Sequence, residues 1–263
     1  FIGIPFVSGN YTSTVVPVIC IVALAAQIQK IAKKFVPEML QNFFVPFFVL
    51  IISLPIGLLV IGPVVSLLTT VLSNMFAGLY AFSPIVTAFV IGALWQCLVI
   101  FGLHWALVPM AMVNIGNLGY DTILPGMLGT TFAATGVLAA MYLKLKDENK
   151  KALAIPGVIS AFCGVTEPAI YGVTLPYKKP FIIGAIFSGI AGMIVAAAGT
   201  AIPTVLGTSL LSLPGYIGPG FVGFVIACAI AYFGSAICTY LFGFNDSMLN
   251  KNSEKEENTQ LND

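Results

Sequence analysis

Apolar residues run through this chain in long blocks, and polar ones gather into short clusters between them. Residues 11–29 are apolar and lead into an amphipathic stretch, 29–38, carrying Lys30, Lys33 and Lys34. Residues 43–62 form a run of spanning length despite Pro46 and Pro55, which transmembrane helices tolerate. Residues 63–83 are moderately apolar and suit either a span or an interfacial helix. Residues 84–103 read as a clear span, and 104–126, rich in Gly, Pro and Asn, as irregular chain. A small-residue helix over 127–143, a Gly/Ala-rich span over 181–200 and a span over 221–243 complete the pattern. The expected fold is an all-α polytopic membrane protein with about six transmembrane helices, an amphipathic helix and at least one re-entrant hairpin.

The hairpin is expected at about 152–177. The cluster 144–151 is net positive, and Lys178 and Lys179 follow the next apolar stretch, so the positive-inside bias places both flanks in the cytoplasm. Between them, 152–163 covers only about half a crossing at about 1.5 Å per residue. It leads into Gly-Val-Thr-Glu-Pro-Ala-Ile-Tyr-Gly, residues 164–172. Pro168 disfavours helix at Glu167, so the chain breaks where its charge sits. A carboxylate at membrane depth costs at least about 2.5–3.5 kcal/mol on insertion scales and marks a function by default. The alternative is an ordinary solvated Glu in a surface loop. Residues 201–220 read as a Gly/Pro loop outside, and 246–263 as a disordered cytoplasmic tail.

Composition narrows the class. Of 263 residues, 59% are hydrophobic and 8% charged, with mean hydropathy +1.02. The net charge of +1 gives no reason to expect a nucleic-acid partner. All basic residues are lysine, so no bidentate arginine clamp exists in the chain. Cys20, Cys97, Cys163, Cys228 and Cys238 show no metal-ligand spacing, and neither metal, disulfide nor cofactor is expected. The absence of a Walker loop leaves no internal ATP site. The chain opens on Phe1 in mid-run, which suggests a fragment or a truncated gene product.

Two residues stand out chemically. Glu167 is one. His104 is the other, the single histidine, which opens the second broken segment. Its ordinary pKa lies near neutrality, so it can hydrogen-bond a hydroxyl or share a proton. Together they are the candidate catalytic and substrate-binding pair. Thr166, Asn114 and Tyr171 are candidate substrate ligands, with Thr174, Asn117 and Asp121 behind them, since hydroxyls and amides suit a polyhydroxylated ligand. Capping and turn chemistry compete for each.

At these residues the chain resembles a known family. The stretch 164–176 followed by Lys-Lys-Pro-Phe, Trp95-Gln96, Ile100 to Pro109, Leu118 to Asp121, and the stretches 10–19 and 36–43 resemble the membrane IIC component of the phosphoenolpyruvate:sugar phosphotransferase system. The branch is the glucose superfamily, β-glucoside type. The resemblance implies a homodimeric permease of the bacterial cytoplasmic membrane, embedded in the lipid bilayer. It would bind a β-glucoside-like sugar and pass it inward by an elevator-like motion. His104 and Glu167 would hold the hydroxyl that is phosphorylated. The phosphate would come from a phosphocysteine on a IIB domain charged by IIA, making the chain part of a transferase system whose donor lies elsewhere. Residues 1–245 would form the C-terminal part of the IIC domain. Two other readings compete: a proton- or ion-coupled transporter using the pair as a relay, and a non-transporting membrane remnant.

Overall fold

The computed structural model describes residues 15–145 and 148–245. The stretch 10–14 and the tail 246–263 lie outside the described residues. The chain divides into two compact units: the described residues up to Met75 with Phe101–Ala106, and Phe76–Ile100 with the described residues from Leu107 onward.

The first unit begins with α1 (Val15–Phe35), whose last turn carries Lys33 and Lys34, favourable to the negative end of the helix dipole. Pro37 ends it, and the Gln41 side-chain amide donates to the carbonyls of Lys33 (3.2 Å) and Val36 (3.0 Å), which helical bonding leaves open. Next come α2 (Gln41–Ile56), a π turn at Gly57–Ile61 and α3 (Gly62–Phe82), whose last residues, from Phe76, belong to the second unit. Gly57 admits α1 closely: a Cβ there would stand 2.8 Å from the Ile21 side chain. Helix is therefore continuous over Glu38–Phe82, with no reversal at the expected boundary near residue 62. Pro55 removes one donor, and the wider π turn just beyond it carries the helix on.

The second unit packs α4 (Pro84–Ile100), α5 (Val108–Leu118), α6 (Thr130–Lys144), α7 (Glu148–Phe162), the short α8 (Glu167–Ala169), α9 (Lys179–Ala197) and α10 (Phe221–Cys238). The segment read as irregular contains α5: Pro109 sits in its first turn, where proline starts helices, and Gly119 ends it at φ +81°. Helix α6 is buried almost throughout and forms the centre. Its small residues admit close neighbours, as expected: Gly136 lies against the Tyr232 carbonyl of α10, and Ser235 Oγ donates to the Ala133 carbonyl at 2.9 Å. Helices α4 and α9 cross through Gly92 and Gly192, where any Cβ would meet backbone carbonyls.

Four contacts define the two ends of this bundle. Asp121 and Ile202 exchange backbone hydrogen bonds of 2.8 and 3.1 Å, and Thr200 Oγ1 donates to the Gly220 carbonyl at 3.1 Å. At the other end Lys144 Nζ donates to the Phe244 carbonyl at 2.7 Å, and Tyr171 donates to the Ile100 carbonyl at 2.9 Å. The starts of α6 and α10 thus share one end with the finish of α9. The finishes of α4, α6 and α10 share the lysine-bearing end.

Among the described residues four helical stretches are long and apolar enough to cross a membrane: Glu38–Phe82, Leu124–Lys144, Lys179–Ala197 and Phe221–Gly243, with Pro84–Ile100 shorter. Exposed Phe, Leu, Ile and Val are frequent on α1, α2, α3, α9 and α10. The chain is an all-α polytopic membrane domain.

Candidate functional site

Glu167 sits at the turn between two antiparallel pieces of helix. Helix α7 stops at Phe162, and Gly164 takes φ +92°. The Gly164 amide donates to the Ala161 carbonyl and the Val165 amide to the Ser160 carbonyl, both at 2.9 Å. This pair of bonds is a Schellman motif, and it satisfies the carbonyls at the end of α7 inside an apolar bundle. Thr166 is buried and occupies the cap position of α8, its carbonyl accepting from the Ile170 amide at 2.9 Å. Glu167 and Pro168 open α8, the proline where its missing N–H costs nothing. The Glu167 side chain is exposed.

Beyond Ala169 the helix widens into a π turn, Ile170–Thr174, and tightens to a 3₁₀ turn, Leu175–Tyr177. Ala161 and Ala169 pack together on Leu138 of α6. The Thr174 hydroxyl is buried without a hydrogen-bond partner. Tyr171 is half exposed, with its hydroxyl spent on the end of α4. Lys178 joins the hairpin to α9 at φ +50°, a value rare outside glycine.

The turn has a partner absent from the sequence reading. The chain after α9 does not stay at its own end: the Leu210 amide donates to the Phe162 carbonyl at 3.0 Å, and Thr131 Oγ1 donates to the Thr208 carbonyl at 2.9 Å. Gly164 is pressed against this segment, with room for no Cβ, which would stand 2.9 Å from the Thr208 oxygen. Ser209 and Ser212 satisfy each other's backbone amides through their hydroxyls at 2.8 and 3.0 Å. The stretch 201–220, read as a plain outer loop, thus reaches the hairpin tip. Its serines replace solvent for an irregular backbone held within protein. The one sequence signal was the run of hydroxyls at 208, 209 and 212, which also fits a surface loop.

The other candidates separate. Asn114 Nδ2 donates to Asp121 Oδ1 at 2.7 Å, and Asp121 Oδ2 accepts from the Leu124 amide at 2.7 Å. Asp121 is fully buried and organises this corner, with Asn114 committed to it; Asn117 is exposed. His104 belongs to the first unit, on a 3₁₀ turn, Leu103–Ala106, entered through Gly102 at φ +66°. Its ring is half-buried, with Nδ1 inside, and lies 5.5 Å from the Trp105 ring between centroids. Ser73 Oγ holds this turn by donating to the Ala106 carbonyl at 2.9 Å.

Comparison with known proteins identifies the architecture. The family model "Phosphotransferase system, EIIC" matches residues 1–189. The chain is 38% identical over 233 residues to a PTS system beta-glucoside-specific EIIBCA component of Halalkalibacterium halodurans, covering 86% of this chain and 37% of that protein. Proteins of the same description from Dickeya chrysanthemi and Bacillus subtilis are 33% and 32% identical, covering 92% and 94% of this chain and 39% and 41% of theirs. The chain therefore spans well under half the length of these relatives. No solved structure matches it. The family model covers most of the chain, and the protein belongs to the phosphotransferase-system EIIC family.

Proposed function

We propose that the chain is the sugar-binding permease part of a phosphotransferase system in the bacterial cytoplasmic membrane. It binds a β-glucoside or related sugar and passes it inward, coupled to phosphorylation by a IIB partner that IIA recharges. The observation that carries this reading is Glu167, an exposed carboxylate at the tip of a short hairpin within an apolar helical bundle. The hairpin enters and leaves at the lysine-bearing end. The relatives' names supply the sugar class and the fused B and A parts.

In this reading Glu167 accepts a hydrogen bond from the sugar hydroxyl and takes its proton as the oxygen attacks phosphorus, with the IIB thiolate leaving. His104 is a second ligand of the same hydroxyl, able to donate or accept near neutral pH. Thr166, next to the carboxylate, is a further ligand. Tyr171 and Asn114 are further ligands: the Tyr171 hydroxyl, donating to Ile100, can still accept, and Asn114, donating one N–H to Asp121, keeps its second N–H and its Oδ1. The active form is a homodimer. The test is salicin phosphorylation by the chain in vesicles with purified IIB and phosphorylated IIA. Glu167→Gln should cut the rate at least about 100-fold, the scale of a positioned general base, while leaving the melting temperature unchanged. A wild-type rate in that variant would overturn the assignment.

A further inference from the structure

Away from the hairpin tip, the end of the second unit opposite the lysines holds a cavity of about 680 Å³. Tyr80, Tyr120 and Tyr216 line it with Thr122, Pro203 and Ile217. Its size suits a small-molecule site, commonly about 300–1,000 Å³. Its chemistry is specific. Among the described residues no charged side chain lines it. Tyr216 is tied back, donating to the Leu206 carbonyl at 2.8 Å, and Thr200 is spent on Gly220. Tyr80, Tyr120 and Thr122 keep free hydroxyls among the described residues. Tyr120 is 43% exposed at the rim although it adjoins Asp121, which is fully buried. The bridge between Asp121 and Ile202 joins two stretches that line it, one with Tyr120 and Thr122, the other with Ala201 and Pro203.

We propose that this cavity is a second glycoside-binding site, an outer vestibule that takes a neutral pyranoside. Aromatic faces pack on the apolar face of a pyranose ring, and the three free hydroxyls exchange hydrogen bonds with its equatorial hydroxyls. A lining without charge gives no purchase to a phosphate or to a phospholipid headgroup. The positive-inside bias puts this end outside, where an incoming sugar arrives. The proposal rests on the sugar-permease reading but not on Glu167, which lies at the hairpin tip.

The test uses the full chain in lipid nanodiscs with radiolabelled salicin as probe, in equilibrium dialysis. Wild type should hold salicin at two classes of site. Glu167→Gln should lose one class and keep the other. The paired substitution Tyr80→Ala with Tyr120→Ala should do the reverse, weakening the surviving class at least tenfold. Tyr80→Phe with Tyr120→Phe keeps the rings and should give an intermediate loss. It also decides the matter if the alanine pair melts early. Unchanged stoichiometry and affinity in both tyrosine pairs would overturn the vestibule, as would a wild type that binds no salicin. If the tyrosine pairs lose a class while Glu167→Gln loses none, the vestibule stands and the Glu167 reading fails.

Discussion

Gly164 is where hairpin tip and opposing segment are most tightly matched, and one methyl group tests that match. In Gly164→Ala two costs combine. The residue stands at φ +92°, where an L side chain costs about 1–2 kcal/mol. Its Cβ would also stand 2.9 Å from the Thr208 carbonyl oxygen and 3.1 Å from Ser209 Cβ. The oxygen belongs to backbone that Thr131 holds in place, so relief requires the tips to part, an overpacking cost of about 1–3 kcal/mol. The sum, about 2–5 kcal/mol, bounds the shift toward separated tips at about 30-fold to several thousand-fold. Hydrogen exchange reads this directly, because the Leu210 amide is protected by its bond to Phe162. Exchange at Leu210 should accelerate and salicin affinity should fall with it. Gly164→Asn tolerates the positive φ but carries the same Cβ, so it should recover the backbone part alone. Gly172→Ala is the control, since nothing lies within 4 Å of its added methyl. If Gly164→Ala leaves both Leu210 exchange and affinity at wild-type values, the tip contact does not support the site.

Three further outcomes are expected. His104→Ala and Glu167→Gln, combined in a cycle read by salicin calorimetry, should couple by about 0.5–3 kcal/mol; additivity within about 0.3–0.5 kcal/mol would show that the two do not act on one hydroxyl. Cysteines placed at Lys150 and Lys179, with the exposed Cys20 and Cys163 replaced by serine, should both label from the cytoplasmic side, and labelling from opposite sides would end the re-entrant reading. Asp121→Ala should lower the melting temperature, because the half-buried Asn114 amide and the buried Leu124 N–H lose their acceptor, the buried N–H alone costing about 1–3 kcal/mol when left bare; an unchanged melt would show that this corner is not structural.

The features legible in the sequence are those whose cause is local. Gly164 ends α7 because that position needs positive φ, so a helix break next to the charge could be read without knowing its neighbours. Pro168 does not break the helix at Glu167, as the sequence alone suggests, but opens α8 in the first turn, where its missing N–H costs nothing. The apolar blocks identify the membrane domain for the same reason, since each helix meets its hydrogen-bonding needs internally. What stayed hidden depends on partners far along the chain. Pro109 looks like a breaker in isolation, and only the capped turn at Gly119 shows that it begins a helix. That Asn114 also donates to Asp121 is equally invisible in the sequence. The segment 201–220 is the strongest case. A Gly/Pro-rich stretch with four serine and threonine hydroxyls has one composition whether it faces water or protein, and the difference lies in what pairs with its backbone N–H and C=O groups. Here Phe162 and Thr131 supply those partners from positions 48 and 77 residues away. The pairing of Thr208 and Leu210 with the Glu167 hairpin is thus a tertiary fact, and it makes the walls of the candidate site depend on two loops that approach from opposite ends of the bundle.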